Sequence, residues 1–236
     1  MLVIIGRYAA PWGRADRLPG LAVVVCALFW PVVRVSAQPA ADASLFITVQ
    51  NPLTSDEMSR VKDVTERARQ HHQRERERRL KIVYDFNPDN KPSGTSLFGP
   101  CSDLADYLVN LHDVTTIAFV HNEVARHTVL PVLACAEIVM SSEGKLGDVT
   151  HDPGPIPAKY LREYEDIARK RGRAPAIVVK MLDPKLEVFQ GKRADKSDAY
   201  VNKAEDAKKE GIVALNAAAV VAAGELGLFD YDKARK

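Results

Sequence analysis

Cysteine is scarce in this 236-residue chain, with only Cys26, Cys101 and Cys135. No pair among them has zinc-ligand spacing, which excludes a cysteine-built zinc site. No internal repeat of solenoid length is present, and no adenine-binding signature is legible. Long apolar runs are missing too. Leu21–Val33 (LAVVVCALFWPVV) falls short of the roughly 20 residues that span a bilayer, and Pro31 interrupts it. Charge of one sign is also absent. The first 37 residues hold four arginines and one aspartate, which leaves 29 basic and 30 acidic residues beyond them. Nothing in that balance asks for nucleic acid or a charged surface.

What the N-terminus does contain reads as an export signal. Arg7, Arg14 and Arg17 form a basic leader, Leu21–Val33 an apolar core, and Val35-Ser36-Ala37 a small-residue cleavage site before Gln38. The expected division is a signal peptide over 1–37, a linker over 38–44 and one domain over 45–236, exported to the periplasm or cell envelope. An uncleaved membrane anchor is the lesser alternative, kept open by Arg34 near the cut, and peripheral membrane association of the exported domain is a separate expectation. Export permits a disulfide. Cys135 nevertheless lies in an apolar segment and reads as a small buried hydrophobe, so two free thiols are expected.

The mature part alternates strands with amphipathic helices, which indicates an α/β fold. Strands are predicted at Leu45–Val49, Leu80–Phe86, Ile117–Val120, Ile138–Met140 and Leu186–Phe189. Met58, Val61, Val64 and Ala68 trace a helical stripe after a cap at Thr54 or Ser55. Further helices are predicted over 102–112, 128–135 and 158–172, with a short apolar element at Ile177–Leu182. Gly191–Tyr200 reads as a polar connector. Arg69–Arg79 (RQHHQRERERR) is interleaved with Glu75 and Glu77 and lacks aromatics. It reads as a solvated helix end rather than a nucleic-acid patch.

Thr116–Val149 carries the most information. A short apolar strand, a turn, a small-residue helix, Glu137-Ile138-Val139-Met140 and Leu146-Gly147 follow one another in that order. This pattern resembles the nucleophile region of the Clp/crotonase superfamily, and within it the ClpP-class membrane-associated serine proteases of the signal-peptide-peptidase-A and NfeD long-form type. The resemblance extends from Leu45 to the C-terminus. It implies a single-domain ββα spiral, although periodicity alone also permits a doubly wound sheet. Family members continue past the segment matching Ala223–Leu228, so the resemblance implies a C-terminally truncated form.

In that family a lysine activates a serine, and backbone amides of a glycine turn hold the oxyanion. By resemblance the oxyanion turn is Ser93-Gly94-Thr95. The candidate base is Lys159, followed by Ala168 and Gly172-Arg173 in the family's order. Arg126 occupies the position of the serine, with His127 and Thr128 beside it. Arginine cannot attack a carbonyl. Thr128 is the weak hydroxyl candidate, Ser141 and Ser142 are expected on a surface turn, and Cys135 is expected to be buried. The resemblance therefore implies a serine-protease homologue with an impaired nucleophile, acting on peptides or membrane-protein segments. The alternative is a non-catalytic peptide-binding or scaffold module in which Arg126 and His127 hold an anion. A homo-oligomer without cofactor, metal or nucleic acid is expected.

Overall fold

The structure is a computed structural model that describes residues 44–75, 79–93, 97–149 and 156–234. The expected signal peptide and most of the linker lie outside the described residues, as do Gly94 and Thr95. The chain divides into Met1–Gln38 and Pro39–Lys236; all described residues belong to the second unit.

The chain runs β1 (Ser44–Val49), α1 (Ser55–Glu75), β2 (Leu80–Phe86), α2 (Phe98–Val109) and β3 (Val114–Val120). The short β4 (Glu123–Val124) then leads through a 3-10 turn (Arg126–Thr128) into α3 (Val129–Ala134). β5 (Glu137–Met140) and β6 (Lys145–Gly147) precede α4 (Ala158–Lys170) and α5 (Pro175–Leu182). A C-terminal part adds β7 (Phe189–Arg193), β8 (Asp198–Val201), β9 (Ile212–Leu215), β10 (Leu228–Asp230) and α6 (Tyr231–Ala234).

β1, β2, β3 and β5 form one parallel sheet in that spatial order. Among the described residues the order never reverses, so they show no topological switch point of a doubly wound sheet. β4 and β6 leave this sheet and pair with each other in a second small one, to which β10 adds antiparallel. β3–β4–α3 and β5–β6–α4 are thus two successive ββα units. This α/β architecture is the ββα arrangement that the resemblance implies, and not the doubly wound sheet that periodicity alone also permits.

Strand alternation explains which way the sheet faces. Leu80, Ile82, Tyr84 and Phe86 of β2 are buried, as are Val114, Thr116, Ala118 and Val120 of β3, while the residues between them are half-exposed. Burying the side chains of one strand face together gives the sheet its driving force, at roughly 1.5–3 kcal/mol per large aliphatic side chain. The same core takes Val61 from α1, Leu104 and Leu108 from α2, Leu130 and Leu133 from α3 and Ile167 from α4. Tyr84 is accommodated because its hydroxyl meets Thr65 Oγ1 at 3.1 Å.

Several predicted elements shift. α2 begins at Phe98, four residues early, because Pro100 sits in the first helical turn, where its missing N–H costs nothing. Ile177–Leu182 belongs to a helix opened by Pro175. The strand predicted at Leu186–Phe189 starts at Phe189, with Val188 making an isolated bridge to Val221. The polar connector Gly191–Tyr200 is instead most of a β-hairpin, with Phe189 opposite Val201 and Lys192 opposite Asp198. β7 (FQGKR) has one large apolar residue and β8 (DAYV) is only four residues long, too short for its alternation to register as a strand. No described helix is long and apolar enough to cross a membrane.

Candidate functional site

Arg126 stands where β4 ends and the 3-10 turn into α3 begins, and its φ is 53°. A left-handed backbone is uncommon in a non-glycine residue and has to be imposed by its surroundings. The imposing contacts are visible. The Arg126 N–H donates to the Asp148 carbonyl at 3.0 Å, Asp148 N–H to Gly227 at 3.0 Å, and Val149 N–H to Met181 at 2.9 Å. The Gly147-Asp148 turn, itself left-handed, thereby locks the Arg126 turn to α5 and to the C-terminal segment. A sharp strand-to-helix turn in a strained conformation is the geometry that presents a nucleophile in hydrolase elbows. Here the residue presented is a half-buried arginine.

Ser93 approaches the same turn from the other side. It is buried, and its Oγ accepts from Asn51 Nδ2 at 2.9 Å and from the Ala125 N–H at 3.1 Å. The Ser93 loop and the Arg126 turn are therefore in direct contact. Both acceptor contacts tie this hydroxyl to structure. Asn51 Oδ1 is buried without a hydrogen-bond partner among the described residues.

α4 closes the third side. Lys159 is exposed in its first turn. One residue on, Tyr160 stacks on Phe98 of α2, with ring centroids 3.5 Å apart, and His127 meets both rings edge-on at 5.7 and 5.2 Å. His127 Nδ1 lies 3.3 Å from the hydroxyl of Tyr164, which is buried, and that burial pushes the phenol well above its ordinary range. A short hydrogen bond from Ser102 Oγ to Glu163 ties α2 to α4 below this aromatic wall. Phe98, Tyr160 and Tyr164 were not legible as site residues. Phe98 lies outside the predicted helix, and nothing in the spacing of the helix over 158–172 singles out Tyr160 or Tyr164.

The hydroxyl and thiol candidates fall away on access. Thr128, the weak nucleophile candidate, is 1% exposed and shares a hydrogen bond with the Cys101 thiol, so it faces the core rather than a substrate. Ser141 Oγ donates to the His121 carbonyl in a short bond, and Ser142 is on the expected surface turn. Cys101 and Cys135 are both free and fully buried. Burial pushes each thiol up to about 12, far from the depressed value of a reactive cysteine.

Gly172-Arg173 has a structural explanation. Gly172 is left-handed (φ 65°), its N–H reaches Arg169 at 3.0 Å, and the Arg173 N–H reaches Ala168 at 2.8 Å. This is a Schellman end for α4. Arg171 then donates from Nε to Ala134 (2.6 Å) and from Nη2 to Leu108 (2.8 Å), while Arg173 Nη2 donates to Cys135 (2.9 Å). The two guanidiniums serve carbonyls at and near the C-terminal ends of α2 and α3, where a cation also suits the helix dipole.

Two further polar groups escaped the sequence reading. His121 Nδ1 sits 3.1 Å from Asp85 Oδ1 at the carboxyl ends of β3 and β2. Lys180, fully buried in α5, donates to the carbonyls of Pro184 (2.8 Å), Leu186 (2.7 Å) and Ala222 (2.8 Å). Desolvation lowers its pKa, but all three ammonium donors are committed to the backbone. It acts as a staple.

The chain matches no protein-family model and no curated protein by sequence. Among solved structures it is similar to the membrane-bound stomatin-specific protease 1510-N. The lysine-to-alanine mutant in complex with a substrate peptide gives a TM-score of 0.44 at 12% identity, covering 74% of this chain and 75% of that one. The serine-to-alanine mutant gives 0.44 at 12% identity, covering 73% and 78%. A putative enoyl-CoA hydratase from Streptomyces avermitilis gives 0.38 at 13% identity, covering 72% and 63%.

Proposed function

We propose that this chain is a homologue of ClpP-class serine peptidases, of the signal-peptide-peptidase-A and NfeD type, that binds peptide or membrane-protein segments without hydrolysing them. The observation that carries the proposal is Arg126 in the left-handed turn between β4 and α3. An elbow of that shape serves acyl transfer only if it presents a nucleophile, and a guanidinium cannot form the acyl intermediate. It can hold a carboxylate through paired N–H donors. The aromatic wall of Phe98, His127 and Tyr160 beside it would take the apolar part of a peptide.

Reaction of the full chain with a fluorophosphonate probe tests the loss of catalysis, and no labelling is expected. Labelling of a single residue, abolished by Lys159→Ala, would identify a working serine–lysine enzyme and overturn the proposal. Binding is tested with a fluorescent peptide ending in a free carboxylate. Arg126→Ala is expected to weaken it roughly tenfold, the loss of about 1.4 kcal/mol from one charge-assisted contact. Unchanged affinity would remove Arg126 from the site.

Export to the periplasm or cell envelope, and self-association, belong to the same proposal. Export rests on the leader pattern, and N-terminal sequencing of the secreted product should begin at Gln38. Self-association rests on the family resemblance, and light scattering should give a mass well above the 26.0 kDa of one chain.

A further inference from the structure

A cavity of about 800 Å³ opens between α5, the helix-facing side of β5 and the C-terminal segment. It is separate from the turn at Arg126: its lining includes neither Ser93, Arg126–Thr128 nor Lys159. The volume is within the roughly 300–1,000 Å³ of small-molecule sites. Its walls are mostly aliphatic, including Leu133, Ile138, Met181, Val221 and Phe229. Among the described residues no acidic side chain lines it, whereas two cations do, Arg173 and Lys233.

The cations differ. Lys233 is already paired with Glu225, its Nζ 2.6 Å from Oε1. Arg173 has no carboxylate partner among the described residues. Its Nη2 is anchored on the Cys135 carbonyl, and its Nη1 is buried without a hydrogen-bond partner. An apolar chamber with a fixed guanidinium in its wall, and no described carboxylate there to neutralise it, is complementary to one kind of molecule: a hydrocarbon chain ending in a carboxylate.

We propose that this cavity binds a long-chain aliphatic carboxylate, the chain lying against the α5 and β5 walls and the head group held by Arg173. The site is independent of the peptide-binding turn at Arg126 and does not rest on it.

Titration calorimetry of the full chain with dodecanoate, below its micellar range, tests the proposal. One saturable site is expected. Methyl dodecanoate, which keeps the chain and loses the charge, should bind at least tenfold more weakly to the wild-type protein. Arg173→Gln should weaken dodecanoate by a similar factor. Ile177→Trp, which fills the cavity from α5 and leaves the Arg173–Cys135 bond in place, should abolish binding with the melting temperature retained. Arg126→Ala should leave dodecanoate binding unchanged, which separates this site from the turn. Absence of saturable binding, equal affinity for acid and ester, or tighter binding of an uncharged apolar peptide would each overturn the assignment.

Discussion

Cys101 and Cys135 show how burial alone decides a side chain's chemistry. Both thiols stand at about 12 against an ordinary 9 because their charged form would be desolvated. An acid whose pKa is raised by folding stabilises the fold while it stays protonated. That contribution is complete below about pH 9 and is lost as pH rises towards 12, at up to about 1.4 kcal/mol per pH unit for each thiol. Urea midpoints measured across pH 8–11 should therefore fall on the alkaline side. The native protein should also leave both cysteines unmodified by iodoacetamide at pH 8, with full alkylation in denaturant. Arg171 makes a second test. Its guanidinium serves carbonyls of two helices, so Arg171→Ala should cost about 1.5–3 kcal/mol in urea unfolding. A Lys replacement should recover only part of that loss, since one ammonium cannot match the fork.

Elements were legible where two signals agreed. β2 was predicted with its observed bounds because alternating apolar residues and β-branched content point the same way over Leu80–Phe86. α4 ended close to the prediction because Gly172 supplies the left-handed residue its terminus needs. The β7–β8 hairpin was not legible, since its strands are short and pair Lys192 with Asp198 and Gly191 with Ala199, while the small cluster they bury, Ala199 and Val201 with Ile212, is assembled only by the pairing. The resemblance grouped Arg126, Ser93 and Lys159; Ser93 does meet the Arg126 turn through the Ala125 N–H, whereas Phe98 and Tyr164 reach that turn only through helix packing, which periodicity cannot foresee. Close backbone approach is equally silent in sequence. Gly147 adopts φ 137°, and a Cβ there would sit 1.9 Å from the Gly227 carbonyl oxygen. Gly147→Ala should displace β10 from β6 and cost about 2–4 kcal/mol, read as a lower melting temperature and faster amide exchange at Leu228–Asp230.

On the scale of the whole molecule, the parallel order β1-β2-β3-β5 advances in one direction, and the chain then returns to brace what it has built. β10 pairs with β6, Gly227 packs against the backbone of Lys180 and Met181, and Asp148 is bonded to Gly227. Lys180 concentrates this bracing in one ammonium shared by three carbonyls. Lys180→Met should keep the volume and lose the bonds, at a cost of at least about 2 kcal/mol, with a loop over 183–186 that becomes protease-sensitive.

That same lysine offers a clock. An acylating reagent can reach its amine only in molecules whose final segment has swung away from α5, so the slow appearance of acyl-Lys180 in peptide maps would count those excursions. If a fatty acid does lodge nearby, its presence should slow the clock before any change in melting is visible.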